Sequence, residues 1–376
     1  MNHKYPQIYC TYIDKLTENV YNGINPGTVT GTEGNYMTTI RDVASHLGIS
    51  VSTVSRCLNG RPDISEETRR RVNDAILALN YVPSASARQM CSRHSKIVGL
   101  TIPDITDPYF NKDAAGVEAV LLQHNYRIVY GSLGRSPERM LDFLRQACEM
   151  RFDGVIITPD CWDEALIRAL RTSDIPAVAL RRRPPAQLDI PYVDSDHFTG
   201  ACQMVDYLYS IGHRRIGHIM LNTDIGAERC RGYESAMRAH GLEPVTVRLS
   251  MPANRFMEAA TCGAESMKVL LRDHPDITAV FAATDEMAIG VMEYLRSAGY
   301  SVPEQISVCG TGDMEYARLK SFDLTTMSLG RYNMGHKAAE ALLNMMNGEV
   351  PQAKSTLVET RLVVRGSTKL TNELQK

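Results

Sequence analysis

The chain has 376 residues, of which 44% are hydrophobic and 22% charged, and its formal net charge is −2. At about 100–200 residues per domain, this length predicts two or three domains. The sequence has neither a run near the roughly 18 apolar residues of a membrane span nor a secretion leader, so we expect a cytoplasmic protein with no membrane partner. The nine cysteines form no C-x-x-C pair and no group with histidines at the spacing of a metal site, which predicts reduced thiols and no metal or other cofactor.

Charge is distributed unevenly along the chain. Residues 37–96 carry a formal charge of +4, whereas the chain from Ile97 onward carries −5. A basic segment attached to an acidic body favours a polyanionic partner at one end only.

The first elements in chain order follow a segment without periodicity. Residues 1–36 show no helical or strand pattern, and two interpretations stay open: a disordered extension, or a segment upstream of a biological start at Met37. Thr39 is then a candidate N-cap of a helix that Gly48 ends, and Ser50 caps a second helix. A third helix follows Ser65. Two short helices joined by a glycine-containing turn, with a third in support, are typical of a helix-turn-helix.

Strand-like and helix-like segments alternate in the rest of the chain, which implies parallel sheets with right-handed crossovers. The predicted strands are Ile97–Ile102, Arg127–Tyr130, Gly154–Thr158, Ala177–Leu180, Ile216–Met220, Ala279–Ala282 and Ile306–Cys309. Amphipathic stretches between them include Arg139–Met150 and Gly200–Ile211. We therefore expect an extension (1–36), a helix-turn-helix domain (37–83), a hinge (84–96), an α/β domain (97–366) and a tail (367–376).

Three motifs point to one family. They read TIRDVASHLGISVSTVSRCLNG over residues 39–60, ISEETRRRV over 64–72 and LNYVPSASARQM over 79–90. This series resembles the lactose/galactose-repressor family of bacterial transcriptional regulators, and the resemblance extends to about residue 366. It implies an all-α helix-turn-helix domain followed by a periplasmic-binding-protein-like domain of two doubly wound parallel-sheet subdomains. It also implies a metabolite-controlled regulator of transcription, in most members a repressor.

The second predicted helix carries the candidate DNA contacts. Its outward face can enter a major groove, where hydroxyl groups, an arginine and an apolar side chain can reach base edges or phosphates. By resemblance, Val51, Ser52 and Arg56 would read bases, and Thr53 and Ser55 would contact phosphates. The family pattern adds Thr39 and Asn59. A three-helix module whose arginines form an ordinary solvated face is the alternative.

The hinge is a second candidate DNA contact. In the family, the segment that matches Ser84 to Met90 folds on DNA and inserts apolar side chains into the minor groove. Ala87 and Met90 occupy those positions, and methionine is among the side chains that wedge a base step. A plain linker is the alternative.

Candidate effector contacts follow the predicted strands, because open parallel sheets bind ligands at the carboxyl ends of their strands. Their motifs are P-D-I-T-D-P-Y-F, E-R-C-R-G-Y, A-T-D-E-M-A-I-G and C-G-T-G-D, the last of which departs from the family pattern. Core packing, helix capping and surface ion pairs are the alternatives. The candidates are Asp107, Tyr109, Phe110, Arg229, Asp285 and Asp313.

Arg181 stands at a strand end where many sugar-binding relatives carry an acid. Because a guanidinium pairs bidentately with carboxylate or phosphate, it favours an anionic effector such as a sugar acid or sugar phosphate. A run of three solvated arginines, Arg181 to Arg183, is the alternative.

The partners expected from this reading are a small-molecule effector and palindromic operator DNA, bound by a homodimer and possibly by a dimer of dimers. Met334 to Met346 and Gly116 to Leu122 could form the dimer interface, and core packing explains their periodicity equally well. A sugar-modifying enzyme and a sugar-binding transport protein are the competing functions. The sequence has no Walker loop, G-x-S-x-G elbow or H-E-x-x-H motif, and we therefore expect no catalysis.

Overall fold

The computed structural model describes residues 38–58, 60–81, 94–249, 256–349 and 354–371. The chain divides into two units between Arg93 and His94. We call residues 38–81 the head and residues 94–371 the large unit. The extension (1–36) and the predicted DNA contacts Asn59, Ser84, Ala87 and Met90 lie outside the described residues.

The head consists of three helices, α1 (Ile40–Leu47), α2 (Val51–Leu58) and α3 (Glu66–Ala78), in its described part. The predicted boundaries are confirmed: Thr39 and Ser65 are N-caps, and Gly48 ends α1 with a φ of 65°. Val43, Val54 and Val72 are fully buried, one from each helix. The apolar faces of the three helices thus pack against each other and form one small core.

Two parallel sheets organise the large unit. Their strands are β1 (Ile97–Ile102), β2 (Arg127–Ser132), β3 (Gly154–Ile157), β4 (Ala177–Leu180), β5 (Tyr192–Ser195), β6 (Ile216–Leu221), β7 (Val245–Leu249), β8 (Ala279–Ala282), β9 (Ser307–Thr311), β10 (Thr325–Ser328), β11 (Ser355–Val358) and β12 (Arg361–Val363). The first sheet has the order β11-β5-β4-β3-β1-β2 and the second β12-β10-β9-β8-β6-β7. Among the described strands, only β12 is antiparallel to its neighbour.

Helices cover both faces of each sheet, because the buried strands are apolar on both sides. Short 3-10 helices at Pro108–Phe110 and Glu315–Arg318 interrupt two of the connections. The α-helices are α4 (Asn111–Gln123), α5 (Pro137–Glu149), α6 (Glu164–Thr172), α7 (His197–Ser210), α8 (Asp224–Ala239), α9 (Phe256–Asp273), α10 (Asp285–Ser297) and α11 (Arg331–Met346).

Each sheet with its helices forms one lobe. The chain passes between the lobes after β5, after β10 and after β11, so that α11 and β11 return to the N-lobe built on β1–β5. The remaining elements, α7 to β10 and β12, form the C-lobe. The predicted α/β alternation is confirmed, and the structure adds β5, β7, β10, β11 and β12.

The two helices considered for a dimer interface pack against each other within the chain. A Cβ atom on Gly116 of α4 would lie 2.1 Å from the carbonyl oxygen of Tyr332, and one on Gly335 of α11 would lie 1.9 Å from that of Asp113. Glycine at both positions therefore allows the two backbones to approach closely, and the apolar faces next to them belong to the N-lobe core. Among the helices of the described residues, none is long and apolar enough to cross a membrane.

Candidate functional site

The exposed face of α2 is the first candidate site. The side-chain oxygen of Ser50 accepts a hydrogen bond from the backbone of Thr53 at 3.1 Å and starts the helix. Val54 is fully buried, which turns Ser52 and Arg56 outward, and Val51 in the first turn is 42% exposed. The predicted base-reading side chains are therefore all exposed on α2.

Two acids orient predicted DNA contacts in the head. The guanidinium of Arg56 forms an ion pair with Asp63, which follows α2. The backbone N–H and the hydroxyl of Thr39 donate to the carboxylate of Asp42 at 2.8 and 2.7 Å, and these bonds lower the pKa of that carboxyl. Thr39 therefore caps α1. The arginines of the head with exposed side chains are Arg41, Arg56, Arg61, Arg70 and Arg71.

A cavity of about 310 Å³ between the two lobes is the second candidate site. Residues after β1, β3 and β4 line it from the N-lobe, and residues after β6 and β8 line it from the C-lobe. This is the edge at which open parallel sheets bind ligands. The predicted residues on its lining are Asp107, Tyr109, Phe110, Arg181 and Arg229.

Asp107 begins the short 3-10 helix after β1. Its carboxylate accepts from the backbone of Tyr109 at 2.9 Å and lies 3.5 Å from the guanidinium of Arg135, which also pairs with Asp160 at 3.0 Å. Burial raises the pKa of Asp107 above its usual value. Phe110 belongs to the N-lobe core, so its ring is largely committed to packing.

Arg181 is held by an acid that we did not identify from the sequence. Its Nε donates to Asp113 at 3.2 Å, and its Nη2 contacts the same carboxylate oxygen. Both side chains are almost completely buried. Burial alone would lower the pKa of Arg181, but the carboxylate of Asp113 holds that pKa above its ordinary value. The run of three solvated arginines is thus wrong for its first member, and the positive charge of Arg181 is already paired.

The guanidinium of Arg181 also contacts aromatic rings. It lies 4.2 Å from the ring centroid of Tyr109 and 5.1 Å from that of Phe110, while the guanidinium of Arg331 lies 4.9 Å from the Tyr109 ring. Such cation–π contacts fix the orientation of an arginine side chain. The ring predicted to stack on the effector is therefore in contact with two arginines of the protein.

Arg229 enters the cavity from α8. Its Nη1 donates to the carbonyl of Ala283 at 2.7 Å, and its Nε donates to Nδ1 of His197 at 3.4 Å. Nε2 of His197 lies 3.3 Å from a carboxylate oxygen of Asp194. Burial and then the charge of Arg229 lower the pKa of His197. Because a guanidinium N–H can only donate, Nδ1 of His197 is the acceptor in this contact.

Asp285 and Asp313 lie outside the cavity lining, in contrast to our expectation. Asp285 is fully buried and accepts from the backbone of Met314 at 2.8 Å and from the hydroxyl of Thr326 at 2.5 Å. Burial raises its pKa to about 7. The cap of α10 is Thr284, whose hydroxyl accepts from Met287. Asp285 therefore attaches α10 to the loop after β9.

Asp313 is committed to arginines of its own lobe. Its carboxylate pairs with Arg365 at 2.6 Å and with Arg318 at 3.3 Å. These partners hold its pKa below the usual value although burial opposes them. Its backbone oxygen accepts from Lys112 at 3.3 Å, so Asp313 contributes to lobe contact through its main chain.

Two ion pairs bridge the lobes near the cavity. Lys112 of α4 lies 2.9 Å from Glu315, and Arg182, after β4, lies 3.2 Å from Asp224 at the start of α8. Both pairs depend on the spacing of the lobes. The sequence offered no signal for them or for Asp113, because the partners of each pair lie far apart along the chain.

Comparisons with known proteins agree with this arrangement. The profile of "Bacterial regulatory proteins, lacI family" matches residues 39–84, and that of the "Periplasmic binding protein-like domain" matches residues 205–368. The first covers the helices of the head, and the second covers much of the C-lobe and α11.

Similar proteins include the transcriptional repressor CytR of Escherichia coli (strain K12), 30% identical with 88% of this chain and 96% of CytR covered. The transcriptional regulator CelR of Thermobifida fusca is 31% identical, with 88% and 98% covered. The crystal structure of the lac repressor dimer bound to operator and the anti-inducer ONPF has a TM-score of 0.78 at 25% identity, with 88% of this chain and 99% of that chain covered. The chain belongs to the lacI family of bacterial regulatory proteins.

Proposed function

We propose that this chain is a transcriptional repressor that binds operator DNA through α2 and releases or retains it according to a small metabolite in the cavity. The observation that carries the proposal is the combination, in one chain, of an exposed α2 face and a cavity of about 310 Å³ between two lobes. The effector is of the size of a sugar, sugar acid or sugar phosphate.

On the DNA side, α2 would lie in the major groove. Val51, at its first turn, would contact a thymine methyl group, and Ser52 and Arg56 would reach base edges. The ion pair with Asp63 preorients Arg56 and must open or shift when the guanidinium meets a base. Thr53 and Ser55 would contact phosphates, and a homodimer would place two such helices on a palindromic site.

On the effector side, a ligand between the lobes would favour one spacing of the lobes over another. A ligand shifts such an equilibrium only by its difference in affinity for the two states. Lys112–Glu315 and Arg182–Asp224 are the ion pairs that would change with this spacing. The hinge, including Ala87 and Met90, would transmit the change to the DNA.

The test is selection of binding sites from a genomic fragment library by the purified full chain, followed by affinity measurements at two salt concentrations. We expect a palindromic site whose affinity falls steeply with salt. Arg56→Ala should weaken binding by about 10- to 100-fold, since a base-contacting arginine contributes about 1–3 kcal/mol.

Arg168→Ala is the matched control for this experiment. Arg168 is an exposed arginine on α6 of the large unit, so its substitution makes the same charge change in the other unit of the chain. Equal losses in both variants would show that only net charge matters and would contradict a base contact by Arg56. Failure to retain any fragment would overturn the proposed function.

A further inference from the structure

The charges around the cavity point to the chemical class of the effector. Four carboxylates and four arginines line the cavity. Three of these arginines already pair with carboxylates: Arg135 with Asp107 and Asp160, Arg181 with Asp113, and Arg182 with Asp224. In the described part of the chain, Arg229 forms no ion pair. The site therefore has no surplus of positive charge with which to attract an anion.

Asp113 lies behind the lining and contacts Arg181 from α4. One oxygen of Asp113 receives both contacts from Arg181, and the other, Oδ1, is buried without a hydrogen-bond partner within the described structure. Burial raises the pKa of Asp113, and the charges of Arg181 and then of Arg331 oppose that rise. Because water does not screen the contact between Asp113 and Arg181, their charges compensate each other inside the protein.

The pairing does not remove Arg181 from the site. Asp113 uses Nε and Nη2, and not Nη1, while Tyr109 and Phe110 hold the plane of the guanidinium. A guanidinium fixed in this way donates hydrogen bonds to an uncharged acceptor without requiring a negative one.

We propose that Asp113 is a specificity-determining residue that makes the cavity select an uncharged, hydrogen-bonding metabolite over its phosphorylated or carboxylated analogues. An anion placed against Arg181 would bring a second negative charge beside the buried carboxylate of Asp113. This inference rests on the proposed function, and it replaces the anionic effector that the sequence suggested for Arg181.

The test uses a bacterial small-molecule extract separated on an anion-exchange resin into an unretained fraction and a retained, anionic fraction. The readout is the change in operator affinity of the full chain. We expect the wild-type chain to respond to the unretained fraction. A half-maximal response to the retained fraction at a concentration equal to or lower than that needed of the unretained fraction overturns the inference while leaving effector control intact.

Variants then assign the selectivity to Asp113. Asp113→Asn keeps the shape and one acceptor oxygen but leaves Arg181 with an unpaired charge. We expect the ratio of half-maximal responses to the two fractions to shift by at least about tenfold toward the anionic one, the equivalent of one lost charge contact. Glu118→Gln, on the exposed side of α4, makes the same charge change and should leave the ratio at its wild-type value.

A double variant keeps the inference testable if Asp113→Asn fails to fold. Asp113→Asn/Arg181→Gln has no charge at the pair and should retain the wild-type preference for the unretained fraction. An unchanged ratio in a folded Asp113→Asn chain, or a double variant that prefers anions, overturns the role of Asp113. A wild-type chain that binds operator but responds to neither fraction overturns effector control itself and this inference with it.

Discussion

The head and the cavity assemble their candidate sites in different ways. In the head, the side chains expected to read DNA lie within one helix, from Val51 to Arg56, and the buried residue Val54 fixes which face they share. The cavity instead collects side chains from both lobes, between Pro103 and Met287 in the sequence. The helical periodicity of a few neighbouring residues therefore predicts the site on the head. The cavity depends instead on which side chains, distant in the sequence, come together in the fold.

Because the two sites are assembled differently, an arginine has a different role in each. Arg56 is exposed, so its charge is available to a partner beyond its neighbour Asp63. Arg181 is almost completely buried against Asp113, so its charge is satisfied inside the protein. The two arginines are equally basic in the sequence. Only their surroundings distinguish Arg56, which can contact an anion, from Arg181, an oriented donor whose charge is already paired.

The largest expected effect is a loss of stability of the large unit at acidic pH. His218 is fully buried between Tyr233 and Phe281, and burial lowers its pKa to about 4 from 6.5. The unfolded chain takes up a proton below pH 6.5 while the folded chain does not. Stability should therefore fall by about 3 kcal/mol between pH 6.5 and 4 on account of this residue.

His218→Asn should remove that dependence, and denaturant unfolding followed by circular dichroism at several pH values measures it. Asp285 acts in the opposite direction, since its raised pKa of about 7 adds stability as the pH falls. The informative quantity is therefore the difference between variant and wild type. His124→Asn, at an exposed position, is the control, and parallel pH profiles for wild type and His218→Asn would contradict the prediction.

The next effect is a change in the response to the effector without a change in operator affinity, which distinguishes the role of the cavity from that of the head. Arg229→Met removes the lining guanidinium that has no carboxylate partner among the described residues, and we expect about 10- to 100-fold weaker response to the effector, the contribution of a charged hydrogen bond. Operator affinity without effector should stay at the wild-type value. Measuring operator binding while the active extract fraction is titrated gives both the operator affinity without effector and the amount of effector needed for a half-maximal response.

Arg231→Met is the matched control for Arg229→Met, because Arg231 is exposed on the same helix and pairs with Glu228. An equal loss of response in both variants would mean that α8 acts through its charge and not through a ligand contact. A loss of operator affinity in Arg229→Met alone would place Arg229 in the communication between the units.

The smallest effect tests the head. Thr39→Ala removes the hydroxyl that donates to Asp42 at the start of α1 and should lower the stability of the head by about 1 kcal/mol. Ser45→Ala, on an exposed position of the same helix, should change it little. Hydrogen exchange of α1 amides distinguishes the two, and faster exchange in the large unit of Thr39→Ala would show that the units are not independent.

The sequence alone determined the helix boundaries of the head, the alternation of strands and helices, and the strand ends that Asp107, Tyr109 and Arg181 follow. These follow from capping residues and from hydrophobic period, which act over a few neighbouring positions. Only the tertiary structure decided that Asp285 supports the loop after β9 and that Asp113 neutralises Arg181. Buried charges take their properties from the nearest opposite charge, and that partner stands far away in the sequence.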